Sequence, residues 1–221
     1  MAVVARLDER LNGLVLANMV RVEVPKGGTI VKGGVPADGM SFLESGLAGL
    51  YVHTDFCEQL ISPVAAGFAL DTRLDRDSRG AFTIRALTKC TLLRLPEARF
   101  RQLAKDPDFR NWCSANQQRN FSILARIAGA AVQKTTERKI VQFVLVYVEC
   151  VLGREAGAEE TVPWLITQTH FADMLGVTRT HLNARLTALA RKGTLEIQNR
   201  RMTLRRPVLS GEVGLEETCA G

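Results

Sequence analysis

The 221-residue sequence lacks the short motifs that mark several large classes of enzyme. It contains no GxGxxG, GxxxxGKS/T or GxSxG stretch, which excludes the usual dinucleotide, P-loop and serine-hydrolase sites. It opens with no signal-peptide pattern and holds no apolar run long enough to cross a bilayer. We therefore expect a cytoplasmic, non-enzymatic protein that has no membrane partner.

Cysteine and histidine, the usual ligands of bound metals, are also sparse. No CxxC pair occurs among the five cysteines, which are Cys57, Cys90, Cys113, Cys150 and Cys219. Zinc-ligand and iron–sulfur spacings are therefore missing, and reduced thiols are expected. A haem could use His53 or Cys57, but one histidine and one cysteine in a strand region are usually packed side chains. We predict no haem, metal or other cofactor.

Positive charge is concentrated near the C-terminus. The formal charge of the chain is +6, and residues 161–206 alone hold eight cations and two acids. The tail that follows contains three glutamates and no cation. A local excess of this kind suits contact with phosphate, and hence with nucleic acid.

The basic segment has the spacing of a helix-turn-helix. Gly176 stands where a first helix would end at positive φ, and Thr178 can cap a second helix. Apolar residues that would interlock in this unit recur at helical spacing: Phe171, Leu175, Val177, Leu182, Leu186 and Leu189. Two packed helices with no nucleic-acid partner are the alternative, which the surrounding charge disfavours. Alternating apolar residues around Asn199 predict a following β-hairpin, a wing whose tip carries Arg200 and Arg201.

The N-terminal half is predicted to be rich in strands. After a short helix over Val3–Leu16, apolar runs alternate with glycine- and proline-containing turns. The expected strands are Thr29–Val31, Met40–Leu43, Ala48–His53, Gln59–Ile61, Phe82–Ala86 and Thr91–Leu95. The fold class is therefore α+β: an antiparallel, jelly-roll-like β-roll over 1–106, a long dimerisation helix over 107–134 and a winged helix-turn-helix over 135–221.

The long helix, which should reach about Gln133, has the pattern of a dimer contact. Its apolar and small residues alternate in steps of three and four: Phe121, Leu124, Ala128 and Ala131. We predict that this seam pairs with a second copy; a helix buried in its own chain is the alternative. Gly129 weakens the helix locally, so it could shift between two packings. Between the later helices, Gly153–Thr161 is predicted to be a polar loop.

Together these features resemble the Crp/Fnr family of bacterial transcription regulators. The closest likeness is Thr167-Gln168 with Phe171–Arg179, FADMLGVTR, which is similar to the family pattern T-Q-x-x-L/I-A-x-x-L/V-G-V/C-S/T-R. Asp38-Gly39, Glu44-Ser45-Gly46 and Arg85-Ala86-Leu87-Thr88 look like the family's cyclic-nucleotide-binding roll. The resemblance implies a homodimer that binds double-stranded DNA, and RNA polymerase as a further partner if the protein is an activator.

The effector turns depart from that family pattern. Cyclic-AMP-binding members have a G-E-L/M turn for the ribose and an R-S/T-A turn for the cyclic phosphate. The corresponding residues here are Gly67-Phe68-Ala69 and Arg79-Gly80-Ala81. Phe68 cannot accept a ribose hydrogen bond and Gly80 has no hydroxyl, so we predict that cyclic AMP is not the effector. Arg79 still allows an anionic ligand, and a roll that binds nothing is the alternative.

The resemblance also indicates the DNA contacts, with residues 179–190 as the recognition helix. The predicted set is Thr167, Gln168, Thr178, Arg179, Thr180, His181, Asn183, Ala184, Arg185, Arg200 and Arg201. Thr180 and Ala184 replace a Glu and an Arg that are common in the family. We therefore predict an unusual half-site, with methyl contacts to thymine and pairing of Asn183 with adenine.

Two other interpretations follow from the sequence. Within the same family, the regulator could act without an effector or respond to thiol oxidation. From another class, the chain could be a ligand-binding or thiol enzyme with a helical accessory domain. The second is disfavoured because His53 is the only histidine outside the helix-turn-helix that could activate a thiol.

Overall fold

The computed structural model describes residues 13, 15–36, 38–53, 58–75, 77 and 79–205. The helix predicted over Val3–Leu16 lies mostly outside these residues. Residues 15–17 are helical, and Val15 is fully buried. No helix in the described ranges is long and apolar enough to cross a membrane.

Among the residues that the structure describes, eight short strands form the β-roll. They are β1 (Val20–Val24), β2 (Thr29–Val31), β3 (Gly39–Ser45), β4 (Ala48–His53), β5 (Glu58–Val64), β6 (Ala69–Leu70), β7 (Phe82–Ala86) and β8 (Cys90–Pro96). One antiparallel sheet has the order β1-β8-β3-β6 and the other the order β2-β7-β4-β5. The turn from β3 to β4 requires Gly46, because its φ is 94° and a Cβ there would collide with the Lys89 carbonyl oxygen.

Five described helices follow or separate the strands. They are α1 (Glu97–Leu103), α2 (Pro107–Ala131), α3 (Thr136–Leu152), α4 (Gln168–Leu175) and α5 (Arg179–Arg191). Asp106 caps α2 by accepting a hydrogen bond from the Asp108 backbone N–H at 2.9 Å. Pro107 takes the first helical position, where a missing N–H costs nothing. Thr135 caps α3 through the Arg138 N–H at 3.3 Å. The long helix α2 begins where the sequence predicts.

An aromatic cluster fixes α1 and the start of α2 to the roll. The rings of Phe100 and Phe109 meet edge to face at 5.4 Å, and Phe109 stacks on Trp112 at 5.8 Å. Trp112 also contacts Phe42 of β3 at 5.5 Å. Aromatic pairs in such geometries stabilise by about 1 kcal/mol beyond their area burial. The long helix therefore starts from a rigid base.

The C-terminal domain combines α3, α4 and α5 with a small sheet. β9 (Glu159–Pro163), β10 (Leu195–Gln198) and β11 (Arg201–Arg205) lie in the order β10-β11-β9. Phe171 of α4 packs on Phe143 of α3 and on Trp164, with ring centroids 5.0 and 5.2 Å apart. The predicted α+β fold of roll, long helix and winged helix-turn-helix is confirmed.

Three strands were not predicted. The polar loop expected over Gly153–Thr161 is wrong at its end, because residues from Glu159 onward form β9 and pair with β11. This edge strand exposes alternate polar residues, and Thr161 and Thr203 hydroxyls are 3.0 Å apart across it. β6 has two residues, too few for a periodic signal, and the edge strand β1 is largely exposed.

The helix-turn-helix lies against the roll. α4 packs on β5. Leu47, Leu60 and Leu87 of the roll join the buried cluster of the C-terminal domain, together with Ile127 of α2. The helix-turn-helix is therefore positioned by both the roll and the long helix.

Candidate nucleic-acid interface and roll cavity

The helix-turn-helix is built by two threonine caps and one glycine. Thr167 and Thr178 each accept a hydrogen bond, at 3.2 Å, from the backbone N–H three residues on, at the starts of α4 and α5. Gly176 ends α4 at φ 63°, and the Val177 N–H returns to the Ala172 carbonyl at 3.1 Å. This geometry fixes the angle at which α5 leaves the turn.

One face of α5 is buried and the opposite face is exposed. Leu182 and Leu189 are almost fully buried, and Leu186 is half-buried. The exposed residues opposite the buried stripe include Arg179, Thr180, His181, Ala184 and Thr187. Arg185 of the same helix is exposed too, as are Thr167, Gln168 and Thr178. The structure thus brings most of the predicted DNA contacts onto one accessible surface, which we call the recognition surface.

The N-terminus of α3 lies beside this surface. Thr136 Oγ1 is 2.9 Å from His181 Nε2. Glu137 bonds Lys192 at 2.8 Å and lies 3.9 Å from the Arg185 guanidinium. The hydrogen bond from Lys192 is the main cause of the lowered pKa of Glu137. Arg185, one of the predicted DNA contacts, therefore lies on the side of α5 that faces α3.

Asn183 occupies a different environment from the other predicted contacts. It is half-buried and lines a cleft between α5, Gln168 and β10, with a volume of about 440 Å³. Its Oδ1 is inaccessible to solvent and accepts no hydrogen bond from the described part of the chain. The carboxamide is thus set back from the exposed face that carries Thr180 and Ala184.

The wing is a two-residue hairpin. Asn199 and Arg200 both have positive φ, 49° and 59°, as a type I′ turn requires. The Trp164 N–H donates to the Arg200 carbonyl at 2.8 Å, which holds the turn against the domain. Arg200 is at the tip and Arg201 is the first residue of β11; both are exposed.

A second candidate site is a cavity of about 340 Å³ between the roll and α2. Of the predicted effector residues, Phe68, Arg79, Gly80 and Ala81 line it, whereas Gly67 shapes the preceding turn at φ 93° and is not in the wall. Most of the remaining wall is apolar: Val31, Leu50, Pro63, Val64, Ala69, Leu70, Phe82, Ile84, Phe121, Ile123 and Leu124.

The polar part of this wall contains an ion pair that the sequence did not indicate. Arg73 Nε is 2.7 Å from Asp71 Oδ1, and this hydrogen bond raises the pKa of Arg73. The Asp71 side chain is 4% exposed. A Cβ added at Gly80 would lie 3.1 Å from the Arg73 guanidinium, so the ion pair lies beside the predicted phosphate turn.

The predicted seam of α2 is accessible. Phe121 is 73% exposed and the nearby Val132 is 81% exposed. Ala128 is exposed, and Leu124 and Ala131 are half-buried. Ile127, on the other side of the helix, is buried against the C-terminal domain. The helix therefore presents an apolar stripe that its own chain covers only in part.

Thiols and metal ligands contribute little to either site. Cys90 and Cys113 are buried and Cys150 is half-buried; Cys57 and Cys219 lie outside the described residues. Burial raises the pKa of the Cys150 thiol to about 11. His53 is an exposed residue 3.2 Å from Glu58. Within the described ranges, no three side chains of His, Cys, Asp or Glu converge as metal ligands would.

Two family models match consecutive parts of the chain. A model of the cyclic nucleotide-binding domain matches residues 21–106, and a model of the Crp-like helix-turn-helix domain matches residues 139–208. The chain belongs to the Crp/Fnr family of transcription regulators. The sequence-based resemblance is thereby confirmed, and the family consists of DNA-binding regulators rather than enzymes.

Solved structures of several Crp/Fnr regulators are similar to this one. FixK2 from Bradyrhizobium japonicum has 15% identity and a TM-score of 0.71, over 85% of this chain and 93% of that one. The c-di-GMP responsive global regulator CLP of Xanthomonas campestris has 17% identity and a TM-score of 0.66, over 90% and 100% of the chains.

A CooA mutant from Carboxydothermus hydrogenoformans has 19% identity and a TM-score of 0.64, over 90% of each chain. No curated protein matches the sequence. At these identities the structural similarities to this Crp/Fnr regulator establish a shared fold and nothing about ligand binding.

Proposed function

We propose that this regulator binds a near-palindromic DNA site as a homodimer and reads each half-site with residues 179–190. The observation that carries the proposal is the recognition surface of α5, which is exposed opposite a buried stripe. Its side chains are short apart from Arg179 and His181, so the helix can approach base edges closely. Net positive charge in the surrounding segment favours the phosphate backbone.

The base contacts we assign are unusual for the family. Thr180 and Ala184 are exposed one turn apart and offer methyl groups, which suit the thymine methyl. Arg179 can donate two hydrogen bonds to guanine. Asn183 would reach adenine only after its carboxamide turns out of the cleft beside β10. The half-site should therefore depend mainly on Arg179, Thr180 and Ala184.

Phosphate contacts would fix the position of the domain. Gln168 and Thr167 lie at the N-terminus of α4, where backbone N–H groups and the helix dipole favour an anion. Arg200 at the wing tip is exposed for a second backbone contact. Such contacts position the protein without specifying sequence.

The second copy would bind along α2. An exposed Phe121 and Val132 leave an apolar surface that pairing of two α2 helices would bury. A two-fold axis through this seam would place the two α5 helices about 34 Å apart, one turn of DNA. RNA polymerase would be an additional partner if the regulator is an activator.

Selection of binding sites from random DNA tests the proposal. We expect wild-type protein to recover an inverted repeat. Arg179→Ala should reduce affinity for that site about 5- to 150-fold, because a bidentate arginine–guanine contact contributes about 1–3 kcal/mol. Arg99→Ala, at an exposed arginine of α1, is the matched control and should leave affinity unchanged. The proposal would be refuted if a confirmed dimer enriched no sequence, either alone or with a bacterial cell extract added as a source of effector.

Cyclic AMP should not control this binding. Phe68 stands at the ribose turn, and Gly80 offers no hydroxyl at the phosphate turn. Adding cyclic AMP during the selection should leave affinity within experimental scatter, and a clear increase would contradict this part of the proposal. Control by thiol oxidation is disfavoured, because Cys90 and Cys113 are buried and Cys150 is half-buried.

A further inference from the structure

We infer that the roll cavity takes a largely apolar ligand with a single negative charge, and that the charge binds Arg79. This inference rests on the proposed function, since it assigns the ligand class of the regulator's sensing domain. Two observations lead to it: the wall is mostly hydrocarbon, and its two arginines have different partners.

The apolar wall disfavours a sugar, whose hydroxyls need hydrogen-bond partners, more than it disfavours a hydrocarbon ring or chain. Phe68 is 6% exposed, and the guanidinium of Arg119 of α2 lies 5.2 Å from its ring centroid. A ribose placed against this ring would lose hydrogen bonds to water and gain none, so each buried hydroxyl would weaken binding. A volume of about 340 Å³ is at the small end of ligand pockets, which suits one or two rings.

The charges of the wall favour one anionic group. Arg73 is already paired with Asp71, so it offers little charge to a second anionic group. Arg79 is exposed at the wall and forms no ion pair with any residue that the structure describes. One available guanidinium matches one carboxylate or sulfonate, which it can bind with two hydrogen bonds.

The cavity also reaches the long helix. Asn120 donates to the Ala69 carbonyl at 3.1 Å, and Gln117 donates to the Thr72 carbonyl at 2.8 Å. These bonds hold α2 against the strand that carries the Phe68 turn. A ligand in the cavity would therefore contact Phe121 and Leu124 as well as the roll. Because both residues belong to the predicted seam, binding would change the packing of side chains there.

Two dyes with the same rings provide the test. Anilinonaphthalene sulfonate carries one negative charge, and phenylnaphthylamine is its uncharged analogue. Purified full-length protein is titrated with each dye, and fluorescence gives the affinity and the number of sites per chain. We expect one saturable site for both dyes, with the anionic dye bound more tightly, and no displacement by cyclic AMP.

Variants identify the site. Arg79→Gln should weaken the anionic dye roughly fivefold, as expected for a partly exposed charge-assisted bond, and leave the neutral dye unchanged. Arg99→Gln removes the same charge elsewhere and should change neither. Ala81→Trp, at an exposed position of the wall, should weaken both dyes.

The inference is overturned if Arg79→Gln binds the anionic dye as tightly as Arg99→Gln does. It is also overturned if Ala81→Trp leaves the affinity for both dyes unchanged, since the dyes would then bind elsewhere. Displacement by cyclic AMP would also overturn it. Binding of the selected DNA is measured on the same samples. If wild-type protein binds the selected DNA but neither dye, only the ligand class is refuted. If it binds the dyes but no DNA, only the proposed function is refuted.

Discussion

Glu137 places a negative charge beside the proposed path of the DNA. Its carboxylate bonds Lys192 at 2.8 Å and lies 3.9 Å from Arg185. The neighbouring Thr136 contacts His181 on the recognition surface. Because Lys192 lowers the pKa of Glu137, the carboxylate stays ionised through the neutral range. It therefore engages two cations that could otherwise face phosphate.

Glu137→Gln should strengthen DNA binding. The substitution keeps the size of the side chain, removes the charge and releases Lys192 and Arg185. One additional phosphate contact steepens the dependence of log affinity on log salt by about 0.9. Between about 50 and 200 mM salt, the variant should therefore lose about 3.5-fold more affinity than the wild type. We expect binding that is severalfold tighter at low salt and an advantage that shrinks as salt rises.

Fluorescence anisotropy with a labelled copy of the selected site, repeated over a salt series, measures both effects. Glu149→Gln is the matched control, because Glu149 bonds Arg126 at 2.5 Å near the other end of α3. It changes the net charge equally and should leave the slope as in wild type. If the two variants have equal slopes, the N-terminus of α3 does not face the DNA and the reasoning fails.

Three further predictions concern the dimer, the turn and the thiols. Phe121→Glu puts a charge on the exposed seam and should convert a dimer to monomers in sedimentation velocity, with circular dichroism unchanged. Gly176→Ala should destabilise by about 1–2 kcal/mol, because φ is 63° although the space is open. Gly129→Ala, in an open helical position, should instead stabilise by about 1 kcal/mol; thermal unfolding of both proteins checks the opposite signs. Cys150 has a pKa raised to about 11, so iodoacetamide should modify it far more slowly in folded than in unfolded protein near pH 8, and faster as the pH rises.

The helix-turn-helix could be predicted because its determinants are local. Thr167 and Thr178 cap the helices that directly follow them, and Gly176 ends the helix that directly precedes it. Each of these preferences acts within one turn of helix, so a single sequence contains the whole signal. The exposed face of α5 follows from the same periodicity.

The parts that could not be predicted depend on contacts between distant segments. The pairing of Arg185 with Glu137 needs α3 to pack on α5, which helical periodicity within α5 does not reveal. The setting of Asn183 in the cleft likewise needs β10 to pack against the helix. Asp71 and Arg73 are close in sequence, but only the fold places their ion pair beside Gly80 and gives it a role in the cavity.

Strand β5 gives the cavity and the helix-turn-helix a common wall. Pro63 and Val64 line the cavity, while α4 packs on the same strand and Leu60 lies in the buried cluster of the C-terminal domain. Such contact is not coupling, which requires an element with two states that both sites bias. α2 fits that description better than β5, because Phe121 lines the cavity and is also 73% exposed on the predicted seam. A ligand packed against Phe121 would change the surface offered to the second copy, so occupancy of the cavity and geometry of the dimer would depend on one side chain.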